Sequence, residues 1–502
     1  MRKYIFLFFL ALLASGVLIA QKKKMTLNDS LSQFDAYVTN AMKDWKVPGM
    51  AIAIVKDNRV VFTKGYVVRE LGTDKMVDTK TYFACASTTK AMTAVCMAIL
   101  KDEGKVNWDD RVIDYLPELQ LYDPYVTREL RIRDLFIHNS GVGNADYLWS
   151  GNILTSDEIL KKMKLVQPSY SFRSSFIYQN IFYMIAGKVI EKISGKPWSD
   201  YVKEKIFIPL GMNHTKALAS EVTDENQAMP HFIVDGKVIM IEKDLADPIA
   251  PAGAVNSCAE DIALWMKCMI DSSKYEKGRL VQPATWKYLL HPQTIVADAE
   301  FYPTQYLTHA NFKTYGMGWF QQDYKGYKLN FHTGSLDGAT AIHAQLPDKQ
   351  FGIYIFGNLD HAELRHALVF KALDFFELGG NRDWSTDMLH FYDSIKAENK
   401  AREAKDIPVQ VVNTHPSLAL DSYTGRYENE LYGFVEIVLA DGQLKASFNT
   451  KKRCTLTHYH YDTFKAVYEK KEYPASYISF HLDTNGKIKE LEEEGILFEK
   501  TK

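Results

Sequence analysis

The chain has 502 residues, which is enough for two or three domains of ordinary size. Its formal net charge is −2 and it has no long basic run, which excludes nucleic acid as an expected partner. The five cysteines are an odd number in apolar surroundings, so we expect buried free thiols and no disulfide framework.

Residues 1–20 predict a secretory signal peptide. Arg2 and Lys3 precede an apolar stretch, and small residues after it offer two candidate cleavage points. We therefore expect an exported protein, periplasmic or secreted, with no stable membrane span after cleavage. The alternative is an uncleaved N-terminal anchor, although the stretch is short for a full span.

The next elements are a helix and a hairpin. Residues 29–45 have helical periodicity, and residues 50–55 and 60–64 have the pattern of two strands. Asp57 and Asn58 between the strands are typical of a hairpin turn. Together these elements predict the beginning of an antiparallel sheet with a helix beside it.

Ser87 and Lys90 form the one Ser-x-x-Lys of the sequence, and residues 91–100 after them are apolar on nearly every face. Positions i and i+3 share a helix face, so the serine hydroxyl and the lysine ammonium can meet. Serine becomes a good nucleophile when a neighbour takes its proton, and burial lowers the pKa of a lysine enough for that task. We therefore predict that Ser87 is the nucleophile and Lys90 its catalytic partner, at the start of a buried helix.

A second motif places Tyr178 and Asn180 on either side of one residue, inside the long helical and loop region 109–321. A phenol beside a lysine can take up a proton and return it, which suits Tyr178 to general acid–base catalysis. The amide of Asn180 can orient a substrate carbonyl or the lysine itself. Tyr427 and Asn429 have the same spacing, so this motif alone does not decide between the two tyrosines.

The third motif comes directly before two strand-like runs, residues 339–346 and 351–356. It consists of His332, Thr333, Gly334 and Ser335. A glycine lets the backbone approach a substrate closely, and the N–H groups of Ser335 and Ser87 can pair as donors to an oxyanion. Without the other two motifs, His332 would be interpreted as a structural histidine at a strand end.

In this order the three motifs resemble those of the serine β-lactamase and penicillin-binding protein superfamily. The second motif begins with tyrosine and the third with histidine, and this pattern is similar to that of the class C β-lactamase branch, with its esterase and D-aminopeptidase relatives. Residues 47–49, 132–141 and 251–253 also fit this branch. The resemblance implies an α+β domain, in which an antiparallel sheet flanked by helices faces a helical lobe across an active-site cleft.

The resemblance also implies acyl transfer, in which Ser87 attacks a carbonyl while Lys90 and Tyr178 manage its proton. It assigns substrate contacts to Asn180, His332, Thr333, Gly334 and Ser335. We expect no metal and no other cofactor. The expected partner is a small-molecule or peptide substrate.

Histidine in place of lysine at position 332 bears on the substrate. A lysine there would be charged and would suit the carboxylate of a β-lactam, whereas histidine is mostly neutral near pH 7 and titrates just below it. We therefore expect small esters, amides or peptides as substrates, and we expect His332 to tune the charge preference. The alternatives are a β-lactamase, or a penicillin-binding module that is acylated without efficient turnover.

The chain changes character after residue 380. Residues 393–405 are charged and helix-prone, and residues 407–416 read as a linker. Beyond them the pattern alternates as strands, with turn signals at Asp441-Gly442 and Asn485-Gly486. This pattern predicts a small all-β barrel or sandwich that resembles the lipocalin-like domain appended to such hydrolases, and through which subunits could join.

These patterns predict four segments along the chain. They are a signal peptide at 1–20, a hydrolase domain at 26–380, a helical segment and linker at 381–416, and a β domain at 417–502. Within the last segment, His458, His460 and Asp462 alternate in a way that could suggest metal ligands. We favour polar residues on one face of a strand, because no further ligand has convincing spacing.

Overall fold

The computed structural model describes residues 26–150 and 153–501. The predicted signal peptide lies outside these residues. Within the described ranges, no helix combines the length and the apolar composition that a membrane crossing requires.

An eight-stranded sheet forms the centre of the first domain, and all its neighbouring strands are antiparallel. In spatial order its strands are Arg59–Val67, Gly49–Lys56, Phe351–Gly357, Ala339–Leu346, Tyr327–Leu336, Trp319–Tyr324, Lys313–Gly316 and Thr294–Ile295. The predicted hairpin turn is present, with Asp57 and Asn58 at φ 50° and 58°. The predicted antiparallel sheet is therefore confirmed, and the first hairpin of the domain pairs with its last strand.

Helices cover both faces of this sheet. In strand Gly49–Lys56, Ile52 and Ile54 enter one core, while Ala51 and Ala53 enter the other, and all four are fully buried. The isoleucine side is covered by helices Leu27–Asp44, Leu364–Leu373 and Trp384–Asp406. The alanine side is covered by helices Thr89–Asp102, Asn180–Ser194 and Ala259–Ile270. Both faces of the strand are buried, which explains why residues 50–55 are apolar without polar alternation.

The segment between strands Arg59–Val67 and Lys313–Gly316 forms the predicted helical lobe, and it includes the short edge strand Thr294–Ile295. Its shorter α-helices are Pro124–Glu129, Ser156–Lys162, Trp198–Val202, Ile208–Leu210, Ala250–Gly253, Pro283–Leu289 and Gln305–Thr308. Three small antiparallel pairs join Phe83–Ala84 to Asn256–Ser257, His231–Val234 to Lys237–Met240, and Lys274–Tyr275 to Gly278–Arg279. The lobe leaves a cleft against one edge of strand Tyr327–Leu336, which we call the motif strand.

Helix Trp384–Asp406 begins earlier than the helix predicted at 393–405. Trp384, Met388 and Tyr392 are buried in the core on the isoleucine side of the sheet. The first half of the helix therefore packs on the hydrolase domain, and the chain leaves that domain only in its second half.

The C-terminal part is a closed barrel of eight antiparallel strands, each beside its successor. The strands are Gly425–Asn429, Gly433–Ala440, Gln443–Phe448, Lys452–His460, Thr463–Tyr468, Ser476–Leu482, Ile488–Glu493 and Ile496–Lys500. The barrel closes where Tyr427 in the first strand pairs with Lys500 in the last. Apolar side chains, including Tyr423, Phe464 and Phe480, fill its interior. The barrel prediction is thus confirmed, and the sandwich alternative is wrong.

One end of the barrel meets the hydrolase domain. In a meander the connections alternate between ends, so loops 430–432, 449–451, 469–475 and 494–495 share one end, which we call the near end. The Tyr432 ring lies 4.4 Å from the Tyr147 ring, and Lys470 pairs with Glu242 at 3.0 Å. The linker is held at the opposite end, where the Tyr459 hydroxyl donates to the Pro408 carbonyl oxygen at 2.6 Å.

Candidate active site

A cavity of about 670 Å³ opens in the cleft between the helical lobe and the motif strand. Ser87 lines it from the turn just before the serine helix, Thr89–Asp102. Tyr178 and Asn180 line it from the lobe, and Ser335 lines it from the motif strand. Residues from all three sequence motifs therefore meet at one cavity.

The turn before the serine helix presents Ser87. Residues Ala86–Thr88 form one 3-10 turn, in which Ala86 has φ +46°, a left-handed conformation unusual for a residue with a Cβ atom. Gly334 of the motif strand passes against this turn so closely that a Cβ there would lie 2.3 Å from the Cys85 carbonyl oxygen. Glycine at 334 is thus required for the motif strand to approach the serine.

Lys90 is fully buried directly behind Ser87. Its ammonium donates hydrogen bonds to Ser87 Oγ at 2.9 Å, to Asn180 Oδ1 at 2.6 Å and to the Ala252 carbonyl oxygen at 3.0 Å. Burial lowers the pKa of Lys90 to about 7, against an opposing effect of the Asp146 charge. A large fraction of this lysine is therefore neutral at pH 7.

The three partners of Lys90 fix where its lone pair points when it is neutral. Asn180 Oδ1 and the Ala252 carbonyl are acceptors, so each retains one N–H of the amine. Ser87 Oγ alone among the three can reverse its role and donate. Loss of a proton from Lys90 thus leaves a base aimed at the Ser87 hydroxyl.

Tyr178 is the second group beside the serine. Its side chain lies near that of Ser87, and its ring centroid lies 4.9 Å from Lys90 Nζ. Burial raises the pKa of Tyr178 well above its ordinary value, although the nearby Ser87 side chain opposes this rise. The phenol therefore stays protonated at neutral pH, which makes it a proton donor and relay while Lys90 holds the basic position.

Asn180 is fixed by a residue that carries no recognisable motif. Its Nδ2 donates to Asp146 Oδ1 at 3.0 Å, and Trp149 Nε1 donates to the same oxygen at 2.7 Å. This bond forces the amide oxygen of Asn180 toward Lys90. Of the two roles considered for this amide, the geometry therefore shows orientation of the lysine.

His332 lies behind the cavity wall and is 1% exposed. Its Nδ1 is 2.6 Å from the Thr333 carbonyl oxygen and must donate to it, so in the neutral ring Nε2 accepts from the Tyr315 hydroxyl at 2.9 Å. Burial, followed by the nearby Lys90 charge, lowers the pKa of His332 to about 3. His332 is therefore neutral near pH 7, in contrast to the expectation that it titrates just below pH 7, and its effect on substrate charge stays a prediction.

Two further side chains support the motif strand. Tyr302, which lines the cavity, lies with its hydroxyl 2.5 Å from Thr333 Oγ1. The buried Arg365 guanidinium donates to Ser335 Oγ at 2.9 Å and to the Gly334 carbonyl oxygen. These bonds hold the part of the strand that carries the proposed oxyanion donor.

The remaining candidates from the sequence do not join this site. Burial raises the pKa of the Cys85 thiol to about 12, so it is not a competing nucleophile beside Ser87. In the barrel, His458 Nε2 contacts the Tyr461 carbonyl oxygen at 2.9 Å. Among the described residues, no group of three or more histidine, cysteine and acidic side chains is arranged to hold a metal ion.

The sheet, the helical lobe and the cleft between them define a β-lactamase/transpeptidase-like fold of the serine hydrolase superfamily. The family model described as Beta-lactamase matches residues 34–374, and the chain belongs to this family. A second model, described as a domain of unknown function (DUF3471), matches residues 409–500 and so covers the barrel.

Relatives and solved structures agree with this assignment. The chain is 26% identical over 479 residues to "Unguisins hydrolase ungD" of Aspergillus violaceofuscus, covering 88% of this chain and 84% of that protein. It is 22% identical to "Protein flp" of Staphylococcus aureus over 66% of this chain and 64% of that protein. The octameric penicillin-binding protein homologue from Pyrococcus abyssi has a TM-score of 0.61 at 22% identity, over 94% of this chain and 100% of the other. SurE has a TM-score of 0.57 at 16% identity, over 94% and 99%.

Proposed function

We propose that this protein is an exported serine hydrolase that acts through an acyl-enzyme on Ser87, with small esters, amides or peptides as substrates. One observation carries the proposal. Lys90 is fully buried, has a pKa near 7, and lies 2.9 Å from Ser87 Oγ at a cavity. A structural lysine has no reason to occupy such a place, because burying its charge is costly. Export is supported by the signal-peptide pattern of residues 1–20.

In the acylation step, neutral Lys90 accepts the proton of Ser87 as the serine oxygen attacks the substrate carbonyl carbon. The backbone N–H groups of Ser87 and Ser335 stabilise the oxyanion that forms. The proton then passes from Lys90, through the Tyr178 hydroxyl, to the leaving alcohol or amine. Tyr178 is suited to this relay because its phenol is protonated and contacts Ser87.

Deacylation reverses these proton transfers with water as the nucleophile. A water in the cavity on the Tyr178 side attacks the ester carbonyl, and Tyr178 with Lys90 accepts its proton. Ser87 is released when it recovers a proton from the same pair. Arg365 and Tyr302 keep the motif strand in place through both steps, by way of Ser335 and Thr333.

The third motif supports ester, amide or peptide substrates over β-lactams. Position 332 offers no cation, because the imidazole is buried and neutral. A β-lactam carboxylate would therefore lack the charged partner that a lysine supplies there. The relatives include a protein named as a hydrolase of unguisins, which is compatible with hydrolysis as the reaction class.

The test is covalent labelling combined with a panel of substrates. A fluorophosphonate should add one adduct, mapped by mass spectrometry to Ser87. Short p-nitrophenyl esters or D-amino acid p-nitroanilides should be hydrolysed faster than a chromogenic cephalosporin. Ser87→Ala should abolish labelling and hydrolysis, while Ser394→Ala, on the exposed face of helix Trp384–Asp406, should leave both intact.

Four outcomes would contradict this proposal. An adduct on another residue, or full activity in Ser87→Ala, would remove Ser87 from its role. Rapid cephalosporin hydrolysis would favour a β-lactamase. Stable acylation without turnover of any substrate would favour a penicillin-binding module.

A further inference from the structure

The lining of the cavity carries acidic charge beyond the reacting groups. Asp146, Asp244, Glu300 and Asp337 all line it, and no lysine or arginine of the described chain does. Lys90 lies behind Ser87 and is at most partly protonated at neutral pH. Carboxylates therefore border the space that a substrate enters, and the lining residues also include His361, whose pKa is raised by its hydrogen bond to Asp360.

Aromatic side chains line the same cavity. Trp149, Phe301 and Tyr302 are among them, and Phe301 and Tyr302 directly follow Glu300. Aromatic faces attract cations through their quadrupoles, and carboxylates attract cations through charge. The two kinds of lining residue are independent in chemistry, and both favour a positively charged ligand.

Neighbouring groups neutralise only part of this charge. Asp146 is engaged by Asn180 and Trp149, and the barrel lysines Lys451 and Lys470 act on Asp244. Hydrogen bonds or ion pairs between the carboxylates of Glu300 or Asp337 and other described residues are not found. These two carboxylates remain available to a ligand.

The acidic side chains at one side of the mouth also oppose one another. Burial, then the like charge of Asp337, raises the pKa of Asp244. Burial, then the like charge of Asp360, raises the pKa of Asp337, against smaller opposing effects of His361 and Lys470. A cation bound there would relieve this repulsion.

We propose that the cleft selects substrates that carry a cationic amine or quaternary ammonium group near the bond that is cleaved. This inference rests on the proposed serine hydrolase activity and adds the class of substrate. The acidic lining and the aromatic lining supply its two observations. A substrate with a free carboxylate would meet repulsion in the same space.

The experiment compares three p-nitrophenyl esters with one leaving group and acyl chains of matched shape. They are the esters of 4-(trimethylammonio)butyric acid, of its neutral isostere 5,5-dimethylhexanoic acid, and of glutaric acid with one free carboxylate. Each kcat/KM is divided by the rate constant for hydroxide hydrolysis of the same ester, which removes differences in intrinsic reactivity. We expect the cationic ester to exceed the neutral isostere by roughly tenfold and the anionic ester to fall below it.

Substitutions of the lining carboxylates test which side chains produce the charge selection. Glu300→Gln and Asp337→Asn should each lower the ratio of cationic to neutral ester by about two- to fivefold. Glu398→Gln, on an exposed helix face outside the cleft, should leave the ratio unchanged. Raising the salt concentration should compress the ratio, because exposed charges are screened.

The outcomes separate this inference from the proposed function. Labelling of Ser87 and hydrolysis of the neutral ester test the hydrolase, whereas the ratio tests the charge selection. A neutral ester equal to or better than the cationic one, or a ratio unmoved in both cleft variants, overturns the inference while the hydrolase stands. If none of the esters turns over, the slowing of fluorophosphonate labelling by the corresponding three carboxamides gives the same comparison.

Discussion

Both domains contain a tyrosine two residues before an asparagine, each with a lysine near its ring, and Tyr178 is partly buried whereas Tyr427 is fully buried. In the hydrolase domain, the Tyr178 ring centroid lies 4.9 Å from Lys90 Nζ, and the phenol lies near the nucleophile candidate Ser87. In the barrel, the Tyr427 ring centroid lies 5.5 Å from Lys500 Nζ. Burial raises the pKa of both phenols above the ordinary value.

The difference lies in what each hydroxyl contacts. The Tyr427 hydroxyl donates to the Tyr423 carbonyl oxygen at 2.8 Å inside a barrel whose interior is filled. A carbonyl oxygen accepts a hydrogen bond and has no proton to donate, so the Tyr427 phenol cannot take up a proton from its partner. Tyr178 instead contacts a hydroxyl that borders a cavity. The catalytic role of a Tyr-x-Asn motif therefore depends on which group the tyrosine hydroxyl contacts and on whether a substrate can reach it. The spacing of the two residues alone does not confer that role.

The largest expected effect follows from this contrast. Tyr178→Phe removes the proton relay and should lower kcat for ester hydrolysis by roughly 10²–10⁴-fold, the range for a lost general acid–base group. Tyr427→Phe removes one buried hydrogen bond and should cost about 1 kcal/mol of unfolding free energy while kcat is unchanged. Steady-state kinetics and chemical unfolding of both variants provide the measurements.

The reversed pattern would break the comparison. If folded Tyr427→Phe lost catalysis and Tyr178→Phe kept it, the barrel would contribute the proton relay. Fluorophosphonate labelling of Ser87 in both variants separates a lost relay from a collapsed site.

Local patterns were enough to predict much of the fold and part of the site. Ser87 and Lys90 are three residues apart, in a 3-10 turn and the α-helix that continues it, so their meeting depends on helical geometry alone. Asp146 and Arg365 gave no such signal, because their partners Asn180 and Ser335 are 34 and 30 residues away. Barrel closure likewise depends on pairing between the first and last strands, which turn residues do not specify. The burial of His332 arises from tertiary packing, which the residue type at that position of the motif does not reveal.

The second prediction concerns the pH dependence that Lys90 imposes on catalysis. Lys90 must lose a proton before it can accept one from Ser87, and its pKa is lowered to about 7. The kcat/KM of a neutral ester should therefore rise about tenfold per pH unit below pH 7 and level off above it. Tyr178, with a pKa raised well above 10, should add no limb near neutral pH.

Two variants test whether Lys90 is the group that titrates in this pH profile. His332→Gln should keep the limb near pH 7, because the imidazole has a pKa of about 3 and does not titrate there. Asp146→Asn should move the limb to lower pH, because the Asp146 charge raises the pKa of Lys90 and its removal lowers it. A limb that disappears in His332→Gln would transfer the titration to His332 and contradict the assignment to Lys90.

The smallest expected effect tests where the two domains touch. Leu431 packs against the core of the hydrolase domain, and the Tyr432 ring lies 4.4 Å from Tyr147, a residue that lines the cavity. An aromatic pair of this kind contributes about 0.5–1.5 kcal/mol, so Tyr432→Ala should raise KM for a bulky ester by roughly two- to tenfold. The smallest ester, which does not extend to Tyr147, should keep its kinetics.

The matched control is Tyr461→Ala, at the opposite end of the barrel beside the linker residue Thr414. Tyr461 is exposed and lies in the turn between strands Lys452–His460 and Thr463–Tyr468, so its loss should leave KM for both esters unchanged. Equal effects of the two substitutions would mean that the barrel acts on catalysis only through its stability. An effect confined to Tyr432→Ala would show that the near end of a barrel without catalytic groups shapes the cleft of its neighbour. In that case the barrel acts on substrate choice through its loops, while its filled interior serves only to hold those loops in place.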